Sequence, residues 1–166
     1  KNVEMTAEIA DGWLPIFFSP ERYDSVFRPH VETGLARAGK SLETFDIAPT
    51  VPVVIGDDLN VCWNMLRPSM ALYIGGMGAK GKNFYNDLAR RYGYESEAEQ
   101  IQELYLAGKR EEAMAKIPSA LIDEVSLVGP AARIKERLAI WKDCPVTTLN
   151  LFHADVRTLR ALMVIL

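Results

Sequence analysis

Apolar side chains along the chain follow two patterns, one with the spacing of a helix and one typical of a buried strand. Helical spacing covers residues 2–10 and 20–38. Short apolar runs at 12–18 and 45–56 predict strands instead, and two prolines in the second run predict a strand end or bulge within it. The first half of the chain therefore predicts strands that alternate with helices.

The helix predicted at 20–38 has signals at both ends. Ser19 and Pro20 are typical of an N-cap and of the first helical position. Gly39 is typical of the position that ends a helix. The predicted apolar stripe consists of Tyr23, Phe27, Val31 and Leu35.

Helical patterns dominate the later half of the chain. Asp57 or Asp58 is expected to cap a helix that Pro68 should kink. Its apolar stripe consists of Leu59, Cys62, Trp63, Leu66, Met70 and Tyr73. The remaining predicted elements are helices at roughly 82–92, 97–107 and 110–117, a helix after Gly129 and Pro130, a β-rich run at 146–152, and a last helix capped by Asp155.

This order of elements predicts parallel strands joined by right-handed crossovers. The pattern contains three strands, and a three-stranded parallel sheet leaves two open edges. We therefore expect an α/β fold that forms the second half of a (β/α)8 barrel of the TIM type over residues 1–166, with a helical insertion at about 79–125. A small doubly wound sheet is the alternative, although its GxGxxG fingerprint is absent.

Composition and charge narrow the classes of partner. The chain has 166 residues, of which 49% are hydrophobic and 25% charged, as in an ordinary globular protein. With 19 Lys and Arg against 22 Asp and Glu, the formal net charge is -3, and no long basic run occurs. Nucleic acid is therefore not expected as a partner.

Cysteine usage and hydropathy favour a cytoplasmic protein with no membrane partner. Cys62 and Cys144 lack a CxxC partner or a nearby His, so we expect two buried thiols and no metal. No run of about 18 apolar residues and no signal sequence occurs. The chain begins with Lys1 in the middle of a helical pattern, and we expect that something precedes it.

Three segments carry a resemblance to a known family: KNVEMTAEIADGWLPIFFSPE, YIGGMGAKGKNFYNDLARRYGYE and LVGPAARIKERL. Together they resemble the C-terminal half of the luciferase-like family, specifically its coenzyme F420-dependent oxidoreductases. The resemblance implies a (β/α)8 barrel with an insertion, a full chain about twice this long, and strands one to five upstream of Lys1. Because the family's acid and base residues come largely from the first half, the catalytic residues here stay unknown.

The resemblance implies cofactor-binding residues in two places. It places the cofactor phosphate near the loop that leads into the first helix, where Lys1 and Asn2 stand. A helix N-terminus attracts an anion through its free N–H groups and partial positive charge. The alternative is that Lys1 and Asn2 form a frayed end.

The second place is the glycine-rich and lysine-rich segment at 73–88. Gly75, Gly76 and Gly78 are expected to adopt conformations closed to other residues. Lys80 and Lys82 would meet the phosphate or the acidic tail of F420. The alternative is a flexible connection that Phe84 and Tyr85 anchor in the core.

Aromatic and histidine side chains near the predicted strands offer weaker candidates. Trp13, Phe17 and Phe18 would wall a cofactor pocket or belong to the core, and strand alternation predicts opposite faces for Phe17 and Phe18. His153 follows the last predicted strand and would serve proton transfer or act as a capping group. His30 is expected at the surface.

The resemblance implies F420-dependent hydride transfer to or from a small organic substrate. We also expect a homo-oligomer, because a three-stranded parallel sheet leaves open edges. Two alternatives stay open. One is a luciferase-like monooxygenase that uses FMN, and the other is a non-catalytic half-barrel that dimerises to cover its open edges. Residues 1–166 by themselves are expected not to turn over.

Overall fold

A computed structural model describes residues 1–152 and 154–165, and within it the chain forms two compact units. Unit 1 comprises Lys1–Ile55 with Glu124–Leu166, and unit 2 comprises Gly56–Asp123. The described strands all belong to unit 1, whereas the described elements of unit 2 are helical. This confirms an α/β fold; the half-barrel stays a prediction.

The strands of unit 1 are β1 (Gly12–Trp13), β2 (Asp46–Ile47), β3 (Thr50–Ile55), β4 (Leu127–Gly129) and β5 (Asn150–Phe152). Its helices are α1 (Asn2–Ile9), α2 (Arg28–Ala38), α8 (Ala131–Lys142) and α9 (Val156–Ile165). The helices of unit 2 are α3 (Leu59–Ala71), α4 (Phe84–Arg91), α5 (Glu95–Leu106) and α6 (Arg110–Ala115). Helix α7 (Ser119–Val125) runs across the boundary at Asp123.

Every strand pair is parallel, as the alternation with helices predicts. Strand β3 lies between β4 and β5, with Val53 opposite Leu127 and Thr50 opposite Asn150. Strand β1 pairs with β2, and beyond it Ile16 forms a single bridge to Thr50. The predicted run at 45–56 is thus split at Ala48 and Pro49, in agreement with the expected break.

Strand β4 corrects the prediction of three strands. Its three residues precede the predicted helix after Gly129 and Pro130, and so short a run has no period of its own that would predict a strand. All three are buried, and they pair with Val53–Ile55.

The predicted helix at 20–38 is present, but it does not begin as expected. Residues 20–22 form a 3₁₀ turn and residues 23–27 a π turn, and the α-helical part begins only at Arg28. The Ser19 hydroxyl makes no cap and donates instead to the Glu124 carboxylate at 3.2 Å. Gly39 ends the helix in the left-handed conformation, with φ of 65°, as predicted.

An aromatic cluster forms much of the unit 1 core. The Phe18 ring is stacked on Phe27 with centroids 5.6 Å apart, and it lies 5.9 Å from Trp141 and 6.0 Å from Trp13. The four residues of the predicted apolar stripe, Tyr23, Phe27, Val31 and Leu35, are all buried. The cluster therefore packs the sheet against its covering helices.

Unit 2 begins earlier than the predicted insertion, at Gly56, and the predicted bounds of about 79–125 stay a prediction. Asp58 caps α3 by accepting hydrogen bonds from the backbone N–H groups of Asn60 and Val61. Helix α3 runs through Pro68 and continues into a π turn at Leu72–Gly76.

Buried amide side chains hold the π turn. The Asn83 side chain donates to the carbonyls of Tyr73 and Ile74 at 2.9 and 3.0 Å, and Asn86 donates to those of Ile74 and Ala98. Phe84, which was expected to anchor this segment in the core, is 47% exposed. The anchors are therefore the two asparagines, because the π turn leaves carbonyl groups that only polar side chains can satisfy.

Among the described residues, none of the helices combines the length and apolar composition that a membrane span requires. The same residues contain no group of three His, Cys, Asp or Glu side chains placed to hold a metal ion. Cys62 is buried and Cys144 is partly buried, and neither forms a disulfide.

Candidate functional site at the carboxyl ends of the strands

Parallel strands joined by helices place their functional groups at the carboxyl ends of the strands. In unit 1 these ends are Ile55 of β3, Gly129 of β4 and Phe152 of β5. A cavity of about 300 Å³ opens at the end of β3. Its lining residues are Ile55, Asp155, Arg157, Thr158 and Ala161.

The charged residues in this cavity have different roles. Asp155 accepts a hydrogen bond of 2.7 Å from the Thr158 backbone N–H, which confirms the predicted cap of α9. That hydrogen bond from the Thr158 N–H lowers the pKa of the Asp155 carboxyl, with a smaller contribution from the Thr158 hydroxyl. Asp155 is thus committed to the helix, and Arg157 supplies the positive charge.

The other face of the sheet carries uncharged residues where β3 pairs with β5. Paired residues of parallel strands share a face, so Ile16, Thr50 and Asn150 lie together, as do Pro52 and Phe152. The Phe152 side chain is 51% exposed, at the end of β5. This face offers apolar contact and hydrogen bonding without a full charge.

Sequence reasoning missed both Arg157 and Phe152. Phe152 ends β5, so its position alone would have marked it as a candidate, whereas Arg157 lies in the first turn of α9. His153, the predicted proton-transfer residue, lies outside the described residues. His30 lies on α2 with its side chain partly exposed, and its Nδ1 is 2.7 Å from the Glu4 carboxylate.

Phe17 has an unusual backbone at the end of the first predicted strand. Its φ is 53°, the left-handed region, which bulky residues rarely adopt. Phe17 is partly exposed, whereas Phe18 is buried in the aromatic cluster. The predicted strand at 12–18 is thus shorter than expected, because its paired part is β1 with one further bridge at Ile16.

Lys1 and Asn2 begin α1, which has no side-chain cap. Both residues are exposed. The first-turn N–H groups of this helix are thus not taken up by a capping side chain. Such groups fit an anion, although Glu4 places a negative charge in the same turn.

The other predicted residues, Gly76, Lys80 and Lys82, belong to unit 2. Gly76 does not have the positive φ expected of it; in this segment Gly81 does, at 73°. A Cβ at Gly76 would lie 2.4 Å from the Tyr105 ring, so this glycine is required for close packing rather than for its backbone angles. The same correction applies to Gly75 and Gly78, where a Cβ would lie 2.5 Å from its nearest neighbour.

The two lysines differ in their surroundings. Lys80 lies 2.7 Å from the Glu103 carboxylate and 3.8 Å from that of Glu99, and its hydrogen bond to Glu103 raises its pKa. Its charge is therefore already paired within unit 2. Lys82 is exposed, and it fits a phosphate better than Lys80 does.

Comparison with known proteins defines the family. The family described as luciferase-like monooxygenase matches residues 1–148, so the chain belongs to the luciferase-like family. A Mycobacterium tuberculosis (strain H37Rv) protein named "Putative coenzyme F420-dependent oxidoreductase" is 38% identical over 164 residues. That match covers 98% of this chain and 47% of the relative.

Two solved structures have the same fold. A coenzyme F420-dependent tetrahydromethanopterin reductase from Methanopyrus kandleri has a TM-score of 0.72 at 22% identity, over 96% of this chain and 44% of that one. An F420-dependent secondary alcohol dehydrogenase, solved with an F420-acetone adduct, has a TM-score of 0.62 at 14% identity, over 90% and 39%. The chain therefore spans about half the length of the proteins it matches.

Proposed function

We propose that this chain is part of an F420-dependent oxidoreductase that transfers hydride between the deazaflavin and a small organic substrate. The supporting observation is the 38% identity, over nearly the whole chain, to a relative named as F420-dependent. When bound, the deazaflavin supplies the hydride chemistry, and the protein supplies binding, orientation and electrostatics. On this proposal the chain is the second half of a (β/α)8 barrel, and its partner is a small molecule.

The described residues fit such a cofactor in two respects. The first turn of α1, with Lys1 and Asn2, has N–H groups without a side-chain cap, which suit a phosphate. The uncharged sheet face where β3 pairs with β5 suits contact with a flat aromatic ring. Lys80 does not fit this role, because two carboxylates already neutralise it.

The test is a titration of the purified protein with F420 and with FMN, followed by fluorescence. We expect saturable F420 binding and little binding of FMN. The family description as a monooxygenase favours FMN as the second candidate. Tighter binding of FMN than of F420 would establish that candidate and reject our proposal.

The lysines can be tested separately in the same assay. Lys82→Ala is expected to weaken F420 binding several-fold, because an exposed cation contributes modestly to phosphate binding. Lys80→Ala is the matched control and is expected to change affinity little. If both variants bind F420 as the wild type does, the segment at 73–88 only connects the neighbouring helices.

We also propose that the protein is a homo-oligomer. This rests on the open sheet edges predicted from the strand pattern. Light scattering across a range of protein concentrations tests it, and a constant monomer mass would contradict it.

A further inference from the structure

A row of apolar side chains lies exposed along the outer side of α3 and at the start of the π turn. It consists of Val61, Met65, Pro68 and Leu72, and we call it the outer seam. Val61, Met65 and Leu72 are 57%, 61% and 41% exposed, respectively. Pro68 is exposed as well. Single exposed apolar residues are ordinary, but residues three and four positions apart are neighbours on one face of a helix.

The inner side of α3 accounts for its packing within unit 2. Leu66 and Met70 are buried there. The one charged residue of the helix, Arg67, donates hydrogen bonds to the backbone carbonyls of Met114 and Ile117. The described residues of unit 2 thus pack against the inner side of α3 and leave the outer seam uncovered.

The outer side of α3 also lacks charge. Among the described residues of this helix, the exposed ones outside the seam are Asn60 and Asn64. Solvated helix faces usually carry charged residues, whereas the centres of protein interfaces are depleted of charge and enriched in methionine. The composition of this face is therefore typical of the centre of an interface.

The spacing of the outer seam is the same in both directions along the helix. Its members are four, three and four positions apart, which is the spacing of a coiled-coil seam. A two-fold axis between Met65 and Pro68 would therefore place Val61 of one copy opposite Leu72 of the other. A two-fold contact between identical chains requires a surface that is complementary to itself in this way.

The charges at the two ends of the seam favour antiparallel packing. Asp57 and Asp58 are exposed at its amino end. Lys82 is exposed at its carboxyl end, where the neighbouring Asn83 side chain donates to the Tyr73 carbonyl at 2.9 Å. Antiparallel copies bring the acidic end of each seam to the basic end of the other, whereas parallel copies would bring like charges together.

We infer that two copies of this chain associate through the outer seam, in antiparallel orientation about a two-fold axis between Met65 and Pro68. This inference rests on the proposed homo-oligomer and assigns it a surface in unit 2, whereas the open sheet edges belong to unit 1. Four such side chains form a patch of a few hundred Å², the size of the largest apolar patch on a typical monomer. Two patches with their polar rims would bury roughly 1,000 Å², so we expect a reversible dimer with a dissociation constant in the micromolar range.

The first experiment measures the mass of the purified protein by sedimentation velocity across micromolar concentrations. Met65→Glu places two carboxylates beside the two-fold axis, and we expect the dissociation constant of the dimer to rise at least about tenfold. Met5→Glu on α1 is the matched control, since Met5 is exposed to a similar degree, and it should leave the dissociation constant unchanged. Melting temperatures of dilute samples establish that both variants fold. An unchanged dissociation constant in Met65→Glu would overturn the inference.

The second experiment tests the antiparallel register with a short thiol-specific cross-linker. The Val61→Cys and Leu72→Cys thiols of one chain would be about 16 Å apart along the helix, but those of two antiparallel copies would face each other. The double variant should therefore give a covalent dimer, and neither single variant should exceed the wild type, in which Cys62 and Cys144 set the background. Cross-linking of Val61→Cys alone as fast as that of the double variant would indicate parallel copies and contradict the inference.

The outcomes separate this inference from the proposals made above. A dimer that Met65→Glu does not weaken and that the double cysteine variant does not trap would exclude the outer seam and leave the homo-oligomer standing. A wild type that stays monomeric at every concentration would reject both. The proposed F420-dependent function is decided by the cofactor titration and depends on neither result.

Discussion

The two units satisfy their buried polar groups in different ways. In unit 1, parallel strand pairing takes up backbone donors and acceptors, and the core around Phe18 consists of packed rings. In unit 2, the π turn leaves carbonyl groups that the buried side chains of Asn83 and Asn86 satisfy. The stability of unit 1 should therefore depend on packed volume, and that of unit 2 on particular hydrogen bonds.

The largest expected effect tests the first half of this comparison. Phe18→Ala should lower the free energy of unfolding by about 3–5 kcal/mol, because it leaves a cavity in the aromatic cluster. Phe18→Leu should cost clearly less, since it keeps more of the volume. Phe152→Ala, which truncates a half-exposed ring in the same unit, serves as the control in urea unfolding. Equal losses for Phe18→Ala and Phe18→Leu would contradict the dependence on volume.

The second effect tests unit 2. Asn86→Ala should lower the free energy of unfolding by about 2–4 kcal/mol, because the buried carbonyls of Ile74 and Ala98 each lose a hydrogen-bond donor. Asn86→Leu should cost as much despite its similar volume. Asn64→Ala, an exposed position on α3, should change the free energy of unfolding by less than about 0.5 kcal/mol. Recovery of stability in Asn86→Leu would show that volume governs unit 2 as well.

A smaller effect is expected at the start of α3. Asp58→Ala should lower the free energy of unfolding by about 1 kcal/mol, because the N–H groups of Asn60 and Val61 lose their acceptor. Asp58→Asn should retain most of the stability, and Asp57→Ala is the control for charge alone. Thermal unfolding at neutral pH measures all three, and a loss as large at Asp57 as at Asp58 would exclude the cap as the cause.

The smallest effect concerns pH and the pairing of α1 with α2. The hydrogen bond with His30 and the nearby Arg37 lower the pKa of the Glu4 carboxyl in the folded protein. A lowered pKa gives stability that is present above the ordinary pKa of Glu and is lost as the pH falls through the folded-state value. Glu4→Gln should flatten this acid-side loss in melting temperature. The profile of Glu43→Gln, an exposed control, should match that of the wild type.

Local periodicity explains which elements could be predicted. The stripe from Tyr23 to Leu35 and the caps at Asp58 and Asp155 depend on neighbours within one or two turns, and all are present. Strand β4 was missed because its three residues gain their role only by pairing with β3, far away in sequence.

The site was harder to predict for the same reason. Nothing in the preferences of phenylalanine indicates the left-handed conformation that Phe17 adopts. The pairing of Lys80 depends on Glu99 and Glu103, which α5 brings close only after folding. A lysine in a glycine-rich segment therefore predicts an anion site until the tertiary contacts are known.

The pairing of β3 with β4 and β5 bears on the order in which the protein folds. Unit 2 is one continuous stretch of chain, so it can form as soon as it leaves the ribosome. Strand β3 is made before it, yet β3 pairs with β4 and β5 only after all of unit 2 has been synthesised. During translation the edges of β3 that pair with β4 and β5 thus stay unpaired until unit 2 has been made. A chaperone that covers exposed strand edges would act in this interval.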